Sequence, residues 1–257
     1  MIIASWNVNS IKARLDHAKR WLAETPVDVV LLQELKAETV NFPTDAFREL
    51  GFVHQHVVGE KTYNGVALLS RLPITETIDA LPGDDEYGHA RFTGGVVAGV
   101  RIYNLYAPNG NPVDGPKFPY KLNWLQRLDE FAAAQLRTEQ PIVFGGDFNV
   151  IPTNADVKSP DAWKDDALFR PESQRAFFTI CNKSYADAYR IFHPADTDYT
   201  FWDYRAGAFQ KNDGVRIDHF LLSPEAVDMA RNCWVDSKPR TWDSPSDHAP
   251  ILLQLAS

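Results

Sequence analysis

The sequence predicts a layered α/β fold built as one continuous domain over residues 1–257. Three observations predict it. Short apolar, β-branched runs recur along the chain without polar alternation, as in strands covered on both faces. Stripes of helical period lie between some of them. No linker, low-complexity stretch or internal repeat divides the chain.

The elements follow in order. IIASW (2–6) reads as a first strand, and Leu15, Ala18 and Leu22 share one face of a helix starting near Ile11. VDVVLLQ (27–33), GVALLS (65–70) and GVVAGVRIYNLYA (95–107) are apolar runs of strand character. Phe118, Leu122, Leu125, Leu128, Ala132 and Leu136 follow the strongest helical stripe. PIVFGG (141–146) is the next strand, and the polar stretch 152–170 predicts a loop or short helical turns. Pro171-Glu172 suits the start of a helix carrying Phe177, Phe178 and Ile180. RIDHFLLS (216–223) and APILLQL (249–255) complete the strands.

Composition narrows the class. With 44% apolar and 12% aromatic residues the chain can build a large core, which excludes disorder. No apolar run is long enough to span a membrane. MIIASWNVNS lacks the basic start of a signal peptide, and two isolated cysteines, Cys181 and Cys233, make neither a disulfide framework nor a zinc pattern. A cytoplasmic protein is expected. The net charge of −8 argues against a polyanion partner unless several acids converge on a divalent metal, which would attract phosphate instead.

Several strands end in polar residues that a strand does not need. IIASW runs into Asn7, VDVVLLQ into Glu34, and RIYNLYA carries Tyr106 and reaches Asn109. PIVFGG delivers Asp147 and Asn149, Asp218 lies inside RIDHFLL, and the last strand is entered through Asp247 and His248. Each alone has a plain structural explanation. Asp147 could cap its own turn, Asp218 could pair with Arg216, and His248 could be a satisfied core histidine. Together they would need independent accidents at six strand ends. Carboxylates and amides without a His/Cys cluster suit Mg²⁺, with Mn²⁺ as the alternative. Glu34 is the best ligand candidate. Asp147 could orient or deprotonate a water, and an imidazole held by Asp218 gives His248 as a donor to phosphate. The chemistry that wants this set is phosphoester hydrolysis.

WNVNSIKAR, LLQELK, NGVALLS, NLYAPNGN, KFPYKLNWL, GGDFNVIPT, ALFRPESQR, FWDYR, RIDHFLLS and SDHAP, in this order, resemble the exonuclease III family of abasic-site (AP) endonucleases. That family lies within the endonuclease/exonuclease/phosphatase superfamily, and the resemblance covers essentially the whole chain. GGDFN and SDHAP specify only a metal-dependent phosphoesterase, whereas FWDYR, KFPYKLNWL and ALFRPESQR point to the DNA-repair branch. The resemblance implies a four-layer α/β sandwich, two mixed β-sheets packed face to face and flanked by helices. It implies metal-site roles for Asn7, Glu34 and Asp247. It places Tyr106, Asn149 and His248 on the scissile phosphate, Asp147 on the water or leaving group, and Asp218 behind His248. Phe201, Trp202 and Ile217 would receive the flipped-out, base-less sugar. Lys12, Tyr63 and Asn109 would contact DNA.

Ser10 and Val215 depart from the family pattern, which has Gly at the first position in many relatives and a DNA-probing Trp at the second in some. The expected activity is that of a monomeric, Mg²⁺-dependent enzyme. It would cut duplex DNA 5′ to an abasic site, leave a 3′-hydroxyl and clean blocked 3′ ends. One metal or two, and Tyr, Asp or His as base, stay open, with Asp147 taken as the water-activating group. Two rivals are a phosphoesterase of lipids or small esters without the aromatic pocket, and a DNA-binding module that has lost catalysis.

Overall fold

A computed structural model describes residues 1–84 and 88–256. Twelve strands among them form two six-stranded sheets. In chain order, β1 (Ile2–Asn7), β2 (Val29–Gln33), β3 (His54–Val58) and β4 (Val66–Ser70) begin the first sheet. β5 (Ile74–Ile78), β6 (Phe92–Val97), β7 (Val100–Tyr106), β8 (Ile142–Asp147), β9 (Ala186–Asp187) and β10 (Asp218–Leu222) make the second. β11 (Ala230–Val235) and β12 (Ile251–Leu255) return to the first. The strand orders are β11-β12-β1-β2-β4-β3 and β5-β6-β7-β8-β10-β9.

Both sheets are mixed, as expected. β1 and β2 run parallel in one, β7 and β8 in the other, and the remaining pairs are antiparallel. The inner faces meet through Ile3, Val29, Leu31 and Leu68 on one side and Ile102, Val143 and Phe220 on the other. Apolar contact is non-directional, so it does not by itself fix how the sheets are aligned. Two buried amides supply direction. Gln33 Nε2 donates to Asn104 Oδ1 at 2.7 Å, and Asn104 Nδ2 donates across to the Leu32 and Ala67 carbonyls at 2.8 Å each. Gln33 Oε1 finds no partner among the described residues, but the bonded N–H groups and the Asn104 oxygen would be costly unpaired, so they favour one register of the sandwich.

Helices form the outer layers. α1 (Leu15–Glu24) buries Ala18, Trp21 and Leu22 on the first sheet, near α2 (Thr44–Glu49) with its buried Phe47. α3 (Lys117–Leu136) and α5 (Pro171–Cys181) cover the second with Trp124, Leu125, Leu128, Phe177 and Ile180. Between them α4 (Pro160–Trp163) is a single turn inside the long 152–170 segment. No helix among the described residues is long and apolar enough to cross a membrane.

Three details differ from the sequence reading. α1 starts at Leu15, because Ser10 has φ 88° and residues 11–14 form a turn. The run 95–107 is two strands. Ala98 (φ 49°) and Gly99 (φ 80°) make a two-residue hairpin turn between the paired Val97 and Val100. Phe178 does not join the core and is 39% exposed.

At one end of the sandwich the Met1 amino group donates to the Leu255 carbonyl at 2.9 Å. At the other end β1 finishes in Asn7 and β12 is entered from His248.

Candidate active site

The parallel pairs place their C-terminal ends at this second mouth, where side chains leave rigid strands. Register aligns Asn7 with Gln33, the residue before Glu34, and aligns Asp147 with both Tyr106 and Asp218. Glycines make the close approach possible. A Cβ at Gly145 would lie 2.5 Å from the Phe220 ring and 2.7 Å from Leu31, and one at Gly146 would lie 2.0 Å from the Leu105 carbonyl oxygen. The GGDFN motif therefore sets Asp147 where a bulkier strand could not.

Asn7 is the centre of the acidic cluster. Its Nδ2 donates to Glu34 Oε1 and Asp147 Oδ2, both at 3.0 Å, and its Oδ1 accepts the Asn9 N–H at 3.0 Å. In this arrangement Asn7 is a bridge between carboxylates. The Tyr106 hydroxyl also donates to Glu34 Oε1, at 2.9 Å, while Lys36 Nζ lies 3.0 Å from Glu34 Oε2. Burial opposes the charge of Glu34, but the Asn7 amide and the Lys36 ammonium outweigh it and hold the carboxyl below its usual range. Burial and the neighbouring Glu34 push the Tyr106 phenol far above its ordinary value, so it stays a neutral donor.

Asp147 Oδ1 accepts the Asn149 N–H at 2.9 Å. Asn149 sits at φ 50°, donates to the Ala107 carbonyl at 2.9 Å and accepts from Asn109 Nδ2 at 3.3 Å. His248 Nδ1 pairs with Asp218 Oδ2 at 2.8 Å, and its Nε2 stands 3.8 Å from Asp147 Oδ2. Ser246 anchors this corner, donating to the Asn7 carbonyl at 2.7 Å and accepting the His248 N–H at 3.2 Å. Burial raises the proton affinity of Asp147, with His248 opposing. Burial disfavours the His248 imidazolium, but Asp218 and then Asp147 more than restore it, so its proton affinity is raised. The two groups therefore divide the roles, a protonated imidazole as donor and a carboxyl able to exchange a proton near neutral pH.

A hard cation fits this donor chemistry. Glu34 is anionic and partly open to solvent, and Asp218 Oδ1 is buried without a hydrogen-bond partner among the described residues. Ligand atoms of Asp147, Asp218 and His248 lie within 4.8 Å of one another. That triad suits a cation less well than Glu34 does, because an imidazolium already fills it. Asp247 is half-buried nearby, and its Oδ1 accepts from Asn9 Nδ2 at 3.1 Å.

The substrate side is mixed. Phe201 lies edge-on to His248 with ring centroids 5.1 Å apart. Ile217 is buried with Val215, Val157, Leu168 and Ile151, and Trp163 and Phe201 pack against that cluster. Trp202 does not face the cleft. It is 3% exposed, packs with Tyr199, Ala208 and Ala249, and donates its indole N–H to Asn212 at 3.2 Å. Of the FWDYR pair only the first ring borders the site. Val215 is fully buried and bridges Val157 and Phe201. Lys12 and Tyr63 stand exposed on loops outside the buried cluster, and Asn109 is exposed at its edge. Arg216 pairs with Asp156 (2.8 Å) and Asp187 (2.7 Å), which leaves Asp218 to His248. Sequence reasoning assigned no role to Asn9, Lys36, Ser246 or Lys121, although each lies inside a motif that carries the resemblance: WNVNSIKAR, LLQELK, SDHAP and KFPYKLNWL.

Residues 4–248 match the model of the Endonuclease/Exonuclease/phosphatase family. The chain belongs to this family. Within it, an exodeoxyribonuclease III from Haemophilus influenzae is 28% identical over 98% of both chains. The Neisseria NExo protein, described as a 3′-5′ exonuclease in one structure and a 3′ phosphatase bound to a product DNA hairpin in another, superposes at TM-score 0.96. It is 36% identical over the full length of both chains. An AP endonuclease from Archaeoglobus fulgidus gives TM-score 0.95 at 34% identity, again over both full chains.

Proposed function

We propose that this family member is a divalent-metal-dependent DNA repair nuclease. It hydrolyses the phosphodiester 5′ to an abasic site to leave a 3′-hydroxyl, and it clears blocked or terminal groups from 3′ ends of duplex DNA. One observation carries the reading. A carboxylate, a second carboxylate and an imidazole from different elements converge, with the Asn7 amide joining Glu34 to Asp147 and His248 Nε2 3.8 Å from Asp147.

Glu34 would hold the metal, Mg²⁺ or Mn²⁺, with Asp247 beside it and Asn7 bridging to Asp147. When bound, the ion supplies Lewis-acid polarisation of a phosphoryl oxygen. Tyr106 keeps its proton and serves as a donor. His248, held charged by Asp218, donates from Nε2 to a phosphate oxygen. Asn149 and Asn109 add neutral donors. Burial raises the proton affinity of Asp147, so its ionised form is the stronger base in the site and takes the proton of the attacking water. Lys12 and Tyr63 contact the DNA backbone from their exposed loops. The protein acts as a monomer in the cytoplasm.

A second reading concerns the balance of substrates. The apolar cluster beside His248 is closed, with Ile217 2% and Val215 0% exposed and the Trp163 ring edge-on to Phe201. An extruded sugar would have to displace part of it. A terminal 3′-phosphate has no sugar beyond the phosphorus and needs no such pocket. Removal of 3′-phosphate should therefore exceed abasic-site incision. The test compares a duplex bearing one tetrahydrofuran abasic mimic with a duplex bearing a 3′-phosphate at a nick, each with Mg²⁺ and with chelator. Cutting of neither duplex with Mg²⁺ would refute the nuclease reading.

A further inference from the structure

One buried cation has no part in the chemistry above. Lys121 lies on α3 with 0% exposure, on the face that also buries Phe118, Leu125 and Leu128. A leucine or methionine would satisfy that environment. Instead an ammonium donates to the Asn109 carbonyl at 3.1 Å and to the Asn149 carbonyl. Among the described residues it forms no ion pair, and its attraction to Asp147 and Asp166 acts over longer range. Desolvating an ammonium is strongly unfavourable, and two neutral carbonyls offset it only in part. Burial accordingly pulls the Lys121 ammonium down to about 7, against that attraction.

The chain makes room for it. Gly110 has φ +93°, and a Cβ there would lie 2.7 Å from Lys121 Cδ. The two carbonyls belong to the residues whose side-chain amides meet at the phosphate end of the site, Asn109 Nδ2 to Asn149 Oδ1 at 3.3 Å. Asn149 also donates its N–H to Asp147 Oδ1. A shift of either loop would move an amide and the Asp147 carboxylate together.

We propose that Lys121 is a positioning residue: its ammonium ties the loop after β7 to the loop after β8. It thereby fixes the Asn109 and Asn149 amides beside Asp147. The proposal rests on the phosphodiesterase reading. Lys121 is fully buried and Lys12 and Tyr63 stand on other loops, so the effect should fall on turnover more than on binding.

The test uses the full chain with Mg²⁺ on the abasic-mimic and 3′-phosphate duplexes. Lys121→Met should keep or raise Tm, lower kcat by about 10- to 100-fold, and leave KM within about twofold. Gly110→Ala, which crowds Lys121 from the other side, should lower kcat in the same direction. A Lys121→Met protein with unchanged Tm and kcat near wild type would overturn the proposal. So would losses that track Tm and KM alone. If Lys121→Met does not fold, Gly110→Ala decides, and full turnover with it refutes the positioning role. A wild type that cuts neither duplex refutes the phosphodiesterase reading and the proposal together. A wild type that cuts beside an equally active variant refutes the Lys121 role only.

Discussion

Replacing Asp218 with Asn isolates the charge behind the imidazole. The change conserves volume, and with its carbonyl oxygen toward Nδ1 it keeps the 2.8 Å hydrogen bond. Burial alone would lower the proton affinity of His248, yet Asp218 and Asp147 bring it from 6.5 to about 10. At roughly 1.4 kcal/mol per tenfold, the environment favours the imidazolium by about 5 kcal/mol as an upper bound. Asp218 at 2.8 Å stands closer than Asp147 at 3.8 Å and is the larger source of this attraction. If the imidazolium donates to the phosphate in the transition state, losing the charge behind it should lower kcat/KM by about 100-fold, the usual order for weakening one preorganised donor.

The same group gives a second readout. His248 binds its proton more tightly folded than unfolded, so its stabilising effect is complete below pH 6.5 and fades as pH rises toward about 10. Wild-type Tm should decline through that window, and Asp218→Asn should decline less. Nicking of the abasic-mimic duplex under single-turnover conditions and calorimetric scans from low to high pH measure both. A variant within about threefold of wild-type activity, with the same dependence of Tm on pH, would refute the reasoning.

Other expectations are briefer. Glu34→Gln should weaken Mg²⁺ binding to the DNA-free protein by about tenfold or more in titration calorimetry; unchanged binding would place the ion elsewhere. Asn7→Ala leaves the buried Asp147 and the half-buried Glu34 without their shared donor and should lower stability by about 1–3 kcal/mol in chelator, with part of the loss recovered in Mg²⁺. Trp202→Leu should cost about 2–4 kcal/mol of stability while KM for abasic duplex stays near wild type. Phe201→Ala should raise that KM with a smaller change in Tm. Because Asp147 is raised above its ordinary 3.8, the acidic limb of kcat/KM against pH should lie well above pH 4.

The buried strands were legible because they are covered on both faces and carry unbroken apolar runs, as in β2 and β8. β3, β5 and β11 were not. Their sequences HQHVV, ITETI and ARNCWV mix polar with apolar residues because they lie at sheet edges. The polar residues at strand ends announced the site by being out of place, and Asn7, Glu34, Asp147, Asp218 and His248 do meet. Trp202 was misread because an aromatic next to Phe201 carries no sign of the face it takes. Adjacent residues on an extended segment point opposite ways, and the indole went to the core. Lys121 lies inside KFPYKLNWL, but its burial was hidden for a related reason. A lysine within a helix reads as solvated, and only the loops packed over it show that its end is enclosed.

The hydrogen bond from Met1 to Leu255 has a practical consequence. β1 carries the chain from Met1 to Asn7, a span of about 20 Å at roughly 3.3 Å per residue. Residues 1 and 255 therefore sit side by side, a full strand length from the catalytic mouth. Labels or surface anchors placed at Met1 or Leu255 would leave DNA access clear.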